Sequence, residues 1–397
     1  MASVSAGLSM ASARDPVVVG VYVSEQARSL PGRTSHDLLL ECVKGAIADA
    51  GVDRRDIDGV ALEWPGPGGA PGDSASWAPY FGAPLKWVES HFMDTTGVRG
   101  VLKAGAAIQA GLCDTVIIGS GRAGPFNTTG AAVGSGMGLE WIDPYGASTM
   151  AYFALVARRH MHQFGTTPEQ MAHVAAVIRN HGRLNPEATL HGGPEITIGD
   201  ILASPMIADP LHRLDCCLMN EGGHALILTT AERARDLDVK GVRVAGGAME
   251  FAQGNYINPP LYRDVRSLGQ AAIQRAFGMA GLTVADVDVF CMYDPCSFEV
   301  LRQFEMLGLC GEGEGGDFVS GDRLTLNGDC PTNLDGGMLA GSWTGTSQLT
   351  GKVIEGVRQL RGGLGDRQVK DAEVAIVTNA GSGAQHLETL VLTGATA

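Results

Sequence analysis

The feature that most constrains this chain is a repeat. Cys42 to Leu62 reads CVKGAIADAGVDRRDIDGVAL, and Ile273 to Met292 reads IQRAFGMAGLTVADVDVFCM. Each starts as an amphipathic helix, stops at Ala-Gly, passes a short linker and enters Asp-Ile/Val-Asp and an apolar run. Ala50, Gly51, Asp56 and Asp58 correspond to Ala280, Gly281, Asp286 and Asp288 at one constant offset. Gly51 and Gly281 are expected at helix C-caps, where the backbone turns left-handed and a side chain is disfavoured. The apolar runs that follow suit strands covered on both faces.

A second pair of segments keeps the same order. VLKAGAAIQAGLCDTVIIGSG, from Val101 to Gly121, is a helix, a glycine stop, a strand and a glycine turn. VIEGVRQLRGGLGDRQVKDAEVAIVTNAGSG, from Val353 to Gly383, repeats it with a longer linker. Helix and strand alternating alike in both halves predict a duplicated α/β core. Residues 1–121 with 223–245 are expected to form the N-terminal half and 246–397 the C-terminal half. Residues 122–222 read as an insertion carried by the first half. It holds glycine-rich loops, a helix around Met150 to Phe164 and the polar run RNHGRLNPEATLHGG. Long insertions in α/β enzymes usually serve binding.

Composition narrows the functions available. With 45% hydrophobic and 18% charged residues, the 397-residue chain can bury a large core, which excludes disorder as its main state. Its 56 glycines follow no G-X-Y period and belong to tight turns and close approaches. The net charge is −14 and basic residues form no run, which argues against nucleic acid and anionic membrane surfaces as partners. No apolar run approaches the roughly 18 residues a membrane helix needs. The start, MASVSAGLSMASARDP, lacks the charged and apolar regions of a secretory signal. The eight cysteines form no CxxC pair and have no histidine at zinc-finger spacing. Reduced, mostly buried thiols in a cytoplasmic protein are expected.

Several short stretches could carry chemistry. Gly119, Gly121 and Gly124 form GxGxxG, which cradles a dinucleotide when a helix follows. Here Pro125 and NTTGAAVGSGMG follow, so a glycine turn entering the insertion is expected. Tyr293, Asp294, Pro295 and Cys296 close the apolar run VFCM and precede SFEVLRQFEMLGLC. Polar residues at the C-terminal end of a buried strand sit where α/β folds place ligands. A phenol there either moves a proton or merely packs against the next helix, and the residues alone leave both open. NLDGGMLAGSWTG (333–345) and NAGSG (379–383) are glycine-rich turns whose N–H groups either hold an oxyanion or only turn the chain. In HFMDTTGVR (91–99), Asp94 is either a helix N-cap or, with His91, a group facing a pocket. Cys216-Cys217 reads as core, and His160, His162, His173 and His181 lack ligand spacing, so no metal site is expected.

These segments together resemble the sterol-carrier-protein/lipid-transfer-protein branch of the thiolase superfamily. YDPCSFEVLRQFEMLGLCGEGEGGDFV (293–319) looks like that branch's HDCF-type block. RNHGRLNPEA (179–188) and LDCCLMNEGGHALIL (214–228) look like its insertion and the strand after it. The resemblance implies a thiolase fold of two βαβαβ halves in five layers with an inserted loop domain. It also implies departures at the catalytic positions. Asp94 stands where thiolases carry the nucleophilic Cys, Trp343 where they carry a His, Asn379 in place of the second Cys, and Tyr293 in place of Asn or His. A carboxylate is a far poorer acyl acceptor than a thiolate.

Steroid side-chain aldolases of the same branch resemble the chain at YDPC, at the aromatic position 343 and at His91. The resemblance implies retro-aldol cleavage of a β-hydroxyacyl-CoA, with Tyr293 as acid/base and Asp94 or His91 as a second proton-transfer or orienting group. The N–H groups of Gly381 and Gly383, with Asn379, would meet the enolate oxygen, and Trp343 would line the acyl pocket. Arg179 and Arg183 are candidate contacts to CoA phosphates. CoA enters as part of the substrate, no tightly bound cofactor is expected, and the expected partners are a second copy of the chain and a small zinc-ribbon/OB-fold protein. The alternatives are an atypical acetyl-CoA acyltransferase and a non-catalytic acyl-CoA-binding scaffold.

Overall fold

The computed structural model describes residues 12–64, 73–90, 96–124, 149–252, 259–341, 344 and 347–394. The first half supplies β1 (Pro16–Val23), α1 (Ser35–Ala50), β2 (Gly59–Leu62), β3 (Trp87–Val88), α2 (Gly97–Gln109) and β4 (Thr115–Arg122). Helices α3 (Thr149–Phe164) and α4 (Pro168–Leu184) and the hairpin β5 (Met206–Ala208) and β6 (Leu211–His212) follow, before β7 (Gly222–Thr230) returns to the first half. The second half contains β8 (Val242–Phe251), α5 (Gln270–Ala280), β9 (Val289–Cys291), α6 (Ser297–Leu307), α7 (Ser347–Arg361), β10 (Val374–Asn379) and β11 (His386–Gly394).

The strands run in the order β3-β2-β4-β7-β1-β8-β11-β10-β9. β1 and β8 meet only at Val17 and Val18 against Arg243 and Val242, so this is two sheets joined at a corner. Each sheet has the same pattern. β2–β4 and β9–β10 are parallel, and β4–β7 and β10–β11 are antiparallel. β8 runs unbroken across residue 246, so the passage between sheets falls in the linker before Val242.

Burial explains the layering. Val101, Ala104 and Ile108 of α2 and Val353, Ile354 and Val357 of α7 pack with Ile118, Leu228, Cys291 and Val377 from both sheets. These two helices form the middle layer. α1 covers the far face of the first sheet, and α5 and α6 cover the far face of the second, where α3 and α4 also dock. Five layers result, as in the expected thiolase fold. Gly119 and Gly121 lie within β4 rather than in a phosphate-binding turn. Among the described residues no helix is long and apolar enough to cross a membrane.

The repeat has a physical basis in matched contacts. Gly51 and Gly281 cap α1 and α5 with φ of 65° and 68°. A Cβ on Gly20 of β1 would lie 2.3 Å from the Ala46 carbonyl, and one on Gly246 of β8 would lie 2.1 Å from that of Ala276. Both glycines let a helix press onto its strand. Asp58 Oδ1 accepts from the N–H groups of Asp114 and Thr115, both at 2.9 Å. Asp288 Oδ2 accepts from Glu373 and Val374, also at 2.9 Å. Each aspartate thus pins the start of the neighbouring parallel strand.

Asp58→Ala and Asp288→Ala are each expected to cost about 1–3 kcal/mol, because two N–H groups lose a charged acceptor. Thermal melts check this, and an unchanged midpoint in either variant contradicts the matched role.

Candidate active site

Pairing of β9 with β10 runs through Cys291 and Val377. Tyr293 and Asn379 each stand two residues further on, at the C-terminal ends of adjacent parallel strands. Tyr293 is 7% exposed. Its N–H donates to Thr378 Oγ1 at 3.2 Å, and its carbonyl accepts from Gln303 Nε2 at 2.7 Å. Thr378 Oγ1 donates in turn to Gln303 Oε1. A buried triangle of β9, β10 and α6 therefore fixes the backbone of Tyr293.

The N-terminus of α2 reaches the same place from the other half. Gly97 has φ of 58°, and a Cβ there would lie 2.4 Å from Leu349 Cβ on α7. Its N–H donates to Thr350 Oγ1 at 3.0 Å. Arg99, in the first turn of α2, pairs with Glu388 of β11, donating from Nε to Oε1 at 2.9 Å and from Nη2 as well. His91, Asp94 and Trp343 lie outside the described residues. The residues that flank them, Thr96 on one side and Gly341 and Thr344 on the other, are described, and Thr96 and Thr344 are buried.

The turn after β10 is used differently from the expectation. Gly381 N–H donates to His386 Nε2 at 3.1 Å, so it is not a free oxyanion donor. Burial, with Arg99 and Arg302 adding to it, lowers the pKa of His386 to about 3 and keeps the ring neutral. Gly383, with φ of 71°, sits where a Cβ would come within 2.5 Å of Tyr152 Cβ on α3, so close packing against the insertion accounts for this glycine. Asn379 is 3% exposed, and its Nδ2 donates to Glu388 Oε2 at 3.0 Å.

Asp294 is fully buried and locks the next segment. Its carboxylate accepts from Met338 N–H at 2.9 Å and Leu339 N–H at 3.3 Å in a π-helical turn, Gly337–Gly341, and pairs with Lys352 Nζ of α7 at 2.6 Å. Burial raises the Asp294 pKa against the pull of Lys352. At Lys352, burial is more than offset by Asp294 and Asp335, and the ammonium stays charged. A cavity of about 50 Å³ beside this pair is lined by Gln26, His224, Asp335 and Glu355. Tyr293, Asn379 and Gly381 do not line it, and its size suits water rather than an acyl-CoA.

The two candidate phosphate contacts separate. Arg179 is 1% exposed and donates to the carbonyls of Leu214 and Cys216 at 2.8 and 2.9 Å. It braces the insertion and is not placed to meet a phosphate. Arg183 is half-buried and donates to the Gly193 carbonyl at 2.8 Å.

Burial raises the pKa of all eight thiols. Cys42, Cys113, Cys217 and Cys310 reach about 12 and Cys330 about 11, with Cys216, Cys291 and Cys296 also well above the usual range. None is poised as a thiolate nucleophile. Sequence reasoning missed Arg99, Glu388, His386 and Lys352. A usable signal was HLETLVL, where a charged residue interrupts an apolar strand.

The family described as thiolase C-terminal domain-like matches residues 263–394. A steroid side-chain-cleaving aldolase of Thermomonospora curvata is 31% identical over 369 residues, covering 87% of this chain and 90% of that protein. A 17-hydroxy-3-oxo-4-pregnene-20-carboxyl-CoA lyase of Mycobacterium tuberculosis is 32% identical, covering 87% and 91%. An acetyl-CoA acetyltransferase of Methanothermobacter thermautotrophicus is 31% identical, covering 93% and 96%. The solved structure named Ltp2-ChsH2(DUF35) aldolase superposes with a TM-score of 0.81 at 28% identity, covering 96% of this chain and 98% of that one.

Lys352→Met strands the Asp294 carboxylate and is expected to cost about 3–5 kcal/mol at neutral pH. The folded pKa of Asp294 is already raised, and the substitution raises it further. The deficit relative to wild type therefore shrinks as pH falls from about 8 to about 5, where the protonated acid needs no counter-ion. Melts across that range check the sign, and a deficit constant with pH contradicts it.

Proposed function

The chain belongs to the thiolase superfamily, in its sterol-carrier-protein branch, and from that premise we propose that it is a CoA-thioester lyase acting by retro-aldol cleavage. Its substrate is a β-hydroxyacyl-CoA of lipid or steroid side-chain type. The observation that carries this reading is chemical. A fold whose relatives include both acetyltransferases and aldolases here has every thiol raised by burial, and a buried phenol just past the end of a strand of the second half.

Retro-aldol cleavage needs no covalent acyl-enzyme. Tyr293, as the phenolate, takes the β-hydroxyl proton. The Cα–Cβ bond breaks, its electron pair passes to the α-carbon, and a carbonyl product leaves the thioester enolate behind. The phenol then returns the proton to the α-carbon, which gives the shortened acyl-CoA. In this reading Asp94 or His91 orients the hydroxyl, and Trp343 lines the acyl pocket. Arg183 stays a candidate for the CoA phosphates. CoA is part of the substrate, and no step calls on a bound cofactor. The likeness to the Ltp2-ChsH2(DUF35) aldolase supports work with a partner protein; in this reading the partner is a small zinc-ribbon/OB-fold protein, and a second copy of this chain completes the assembly.

The acetyltransferase relative favours one competing reading, Claisen acyl transfer with Asp94 as acceptor. It asks a weak carboxylate nucleophile to do the work of a thiolate. Tyr293→Phe distinguishes the role of the phenol. It is expected to lower kcat about 10²–10⁴-fold with an unchanged melting temperature, the range typical of a lost general acid/base. Unchanged turnover removes Tyr293 from the mechanism.

A further inference from the structure

Cleavage to an enolate requires a donor at the thioester oxygen, and one of the two expected backbone donors is occupied. Gly381 N–H is spent on His386, whose ring is neutral and buried. Asn379 lies two residues away on the same turn and carries a carboxamide with two N–H groups. One of them is bound to Glu388 Oε2.

We propose that Glu388, held by Arg99, is a positioning residue that fixes the Asn379 carboxamide as the side-chain donor to the enolate oxygen. This rests on the lyase reading only in requiring an enolate. Glu388 stands opposite Asn379 in the β10–β11 ladder and is 1% exposed. A carboxylate so buried is retained only when paired, and Arg99 supplies two N–H groups to it. The charged acceptor makes the amide hydrogen bond stronger than a neutral one and polarises the group that donates it.

Direction follows from strand order. β11 flanks β10 on one side and β9 on the other. Anchoring one N–H on Glu388 of β11 leaves the second for another acceptor. Along β10, Val377 faces the middle layer of α2 and α7, and strand alternation puts Asn379 on that same face. The carboxamide thus stands on the face of the second sheet that looks toward α2 and α7. Arg99 makes its orientation depend on the first turn of α2, the helix entered from residues 91–95.

The test separates enolate formation from carbon–carbon cleavage. Deuterium uptake from solvent at the α-carbon of a saturated acyl-CoA is followed by mass spectrometry for wild type, Glu388→Gln, Asn379→Ala and the double variant. Asn379→Ala is expected to slow kcat for exchange about 10²-fold, as loss of one oxyanion donor does. Glu388→Gln is expected to slow it about 10-fold with KM unchanged, the smaller loss because a neutral acceptor still holds the amide. The double variant is expected to be no slower than Asn379→Ala alone, because Glu388 acts through Asn379. Asn379→Ser takes the place of the alanine variant if that protein does not fold. Losses that multiply, a change confined to KM, or wild type without exchange overturn the proposal. Wild type that exchanges in this pattern without cleaving a β-hydroxyacyl-CoA supports it while retiring the lyase reading.

Discussion

A carboxylate shut away from water holds the site together. Glu388 sits in β11 of the second half, and its charge is balanced by Arg99 from α2 of the first half. An unpaired carboxylate in that position would cost several kcal/mol, so the two halves are bound to keep α2 and β11 in register. The same carboxylate orients Asn379 at the end of β10. Asp294 does a similar service across the site. It ties the residue after Tyr293 to the π-helical turn before residue 342 and to Lys352 of α7. Two buried carboxylates thus draw four chain segments to one place.

The duplicated scaffold explains why that place exists. Each half aligns a parallel strand pair through one aspartate and presses a helix onto its sheet at one glycine. The middle helices α2 and α7 then lie side by side between the sheets with both N-termini at the same end, as the Gly97 to Thr350 contact records. A helix start offers unpaired N–H groups, and a strand end offers side chains that point past the ladder. The repeated architecture therefore builds the opening, and residues particular to the second half, Tyr293 and Asn379, are the ones to which the proposed chemistry is assigned.

Much of the scaffold was legible because its signals are local. Gly51 and Gly281 had to end helices, and the matched Asp58 and Asp288 marked one connection used twice. The helix–strand alternation of both sheets followed from the same repeat, whereas the expected boundary at residue 246 falls inside β8. The site was less legible because its decisive contacts are not local. Arg99 and Glu388 are 289 residues apart in the chain, and no spacing rule joins them. Arg179 read as a candidate contact to CoA phosphates because polar neighbours surround it in sequence, yet the fold buries it against backbone carbonyls. Gly381 read as an open donor because nothing nearby in the sequence announces that His386 folds back onto it.

Carbon–carbon cleavage without an acyl-enzyme is what sets the proposed lyase apart from an acyltransferase. A single-turnover reaction with a β-hydroxyacyl-CoA, read by intact-protein mass and by product stoichiometry, tests it most directly. The expected result is one carbonyl compound and one shortened acyl-CoA for each substrate consumed, with the protein mass constant throughout. A protein heavier by an acyl group, with free CoA released, would contradict it.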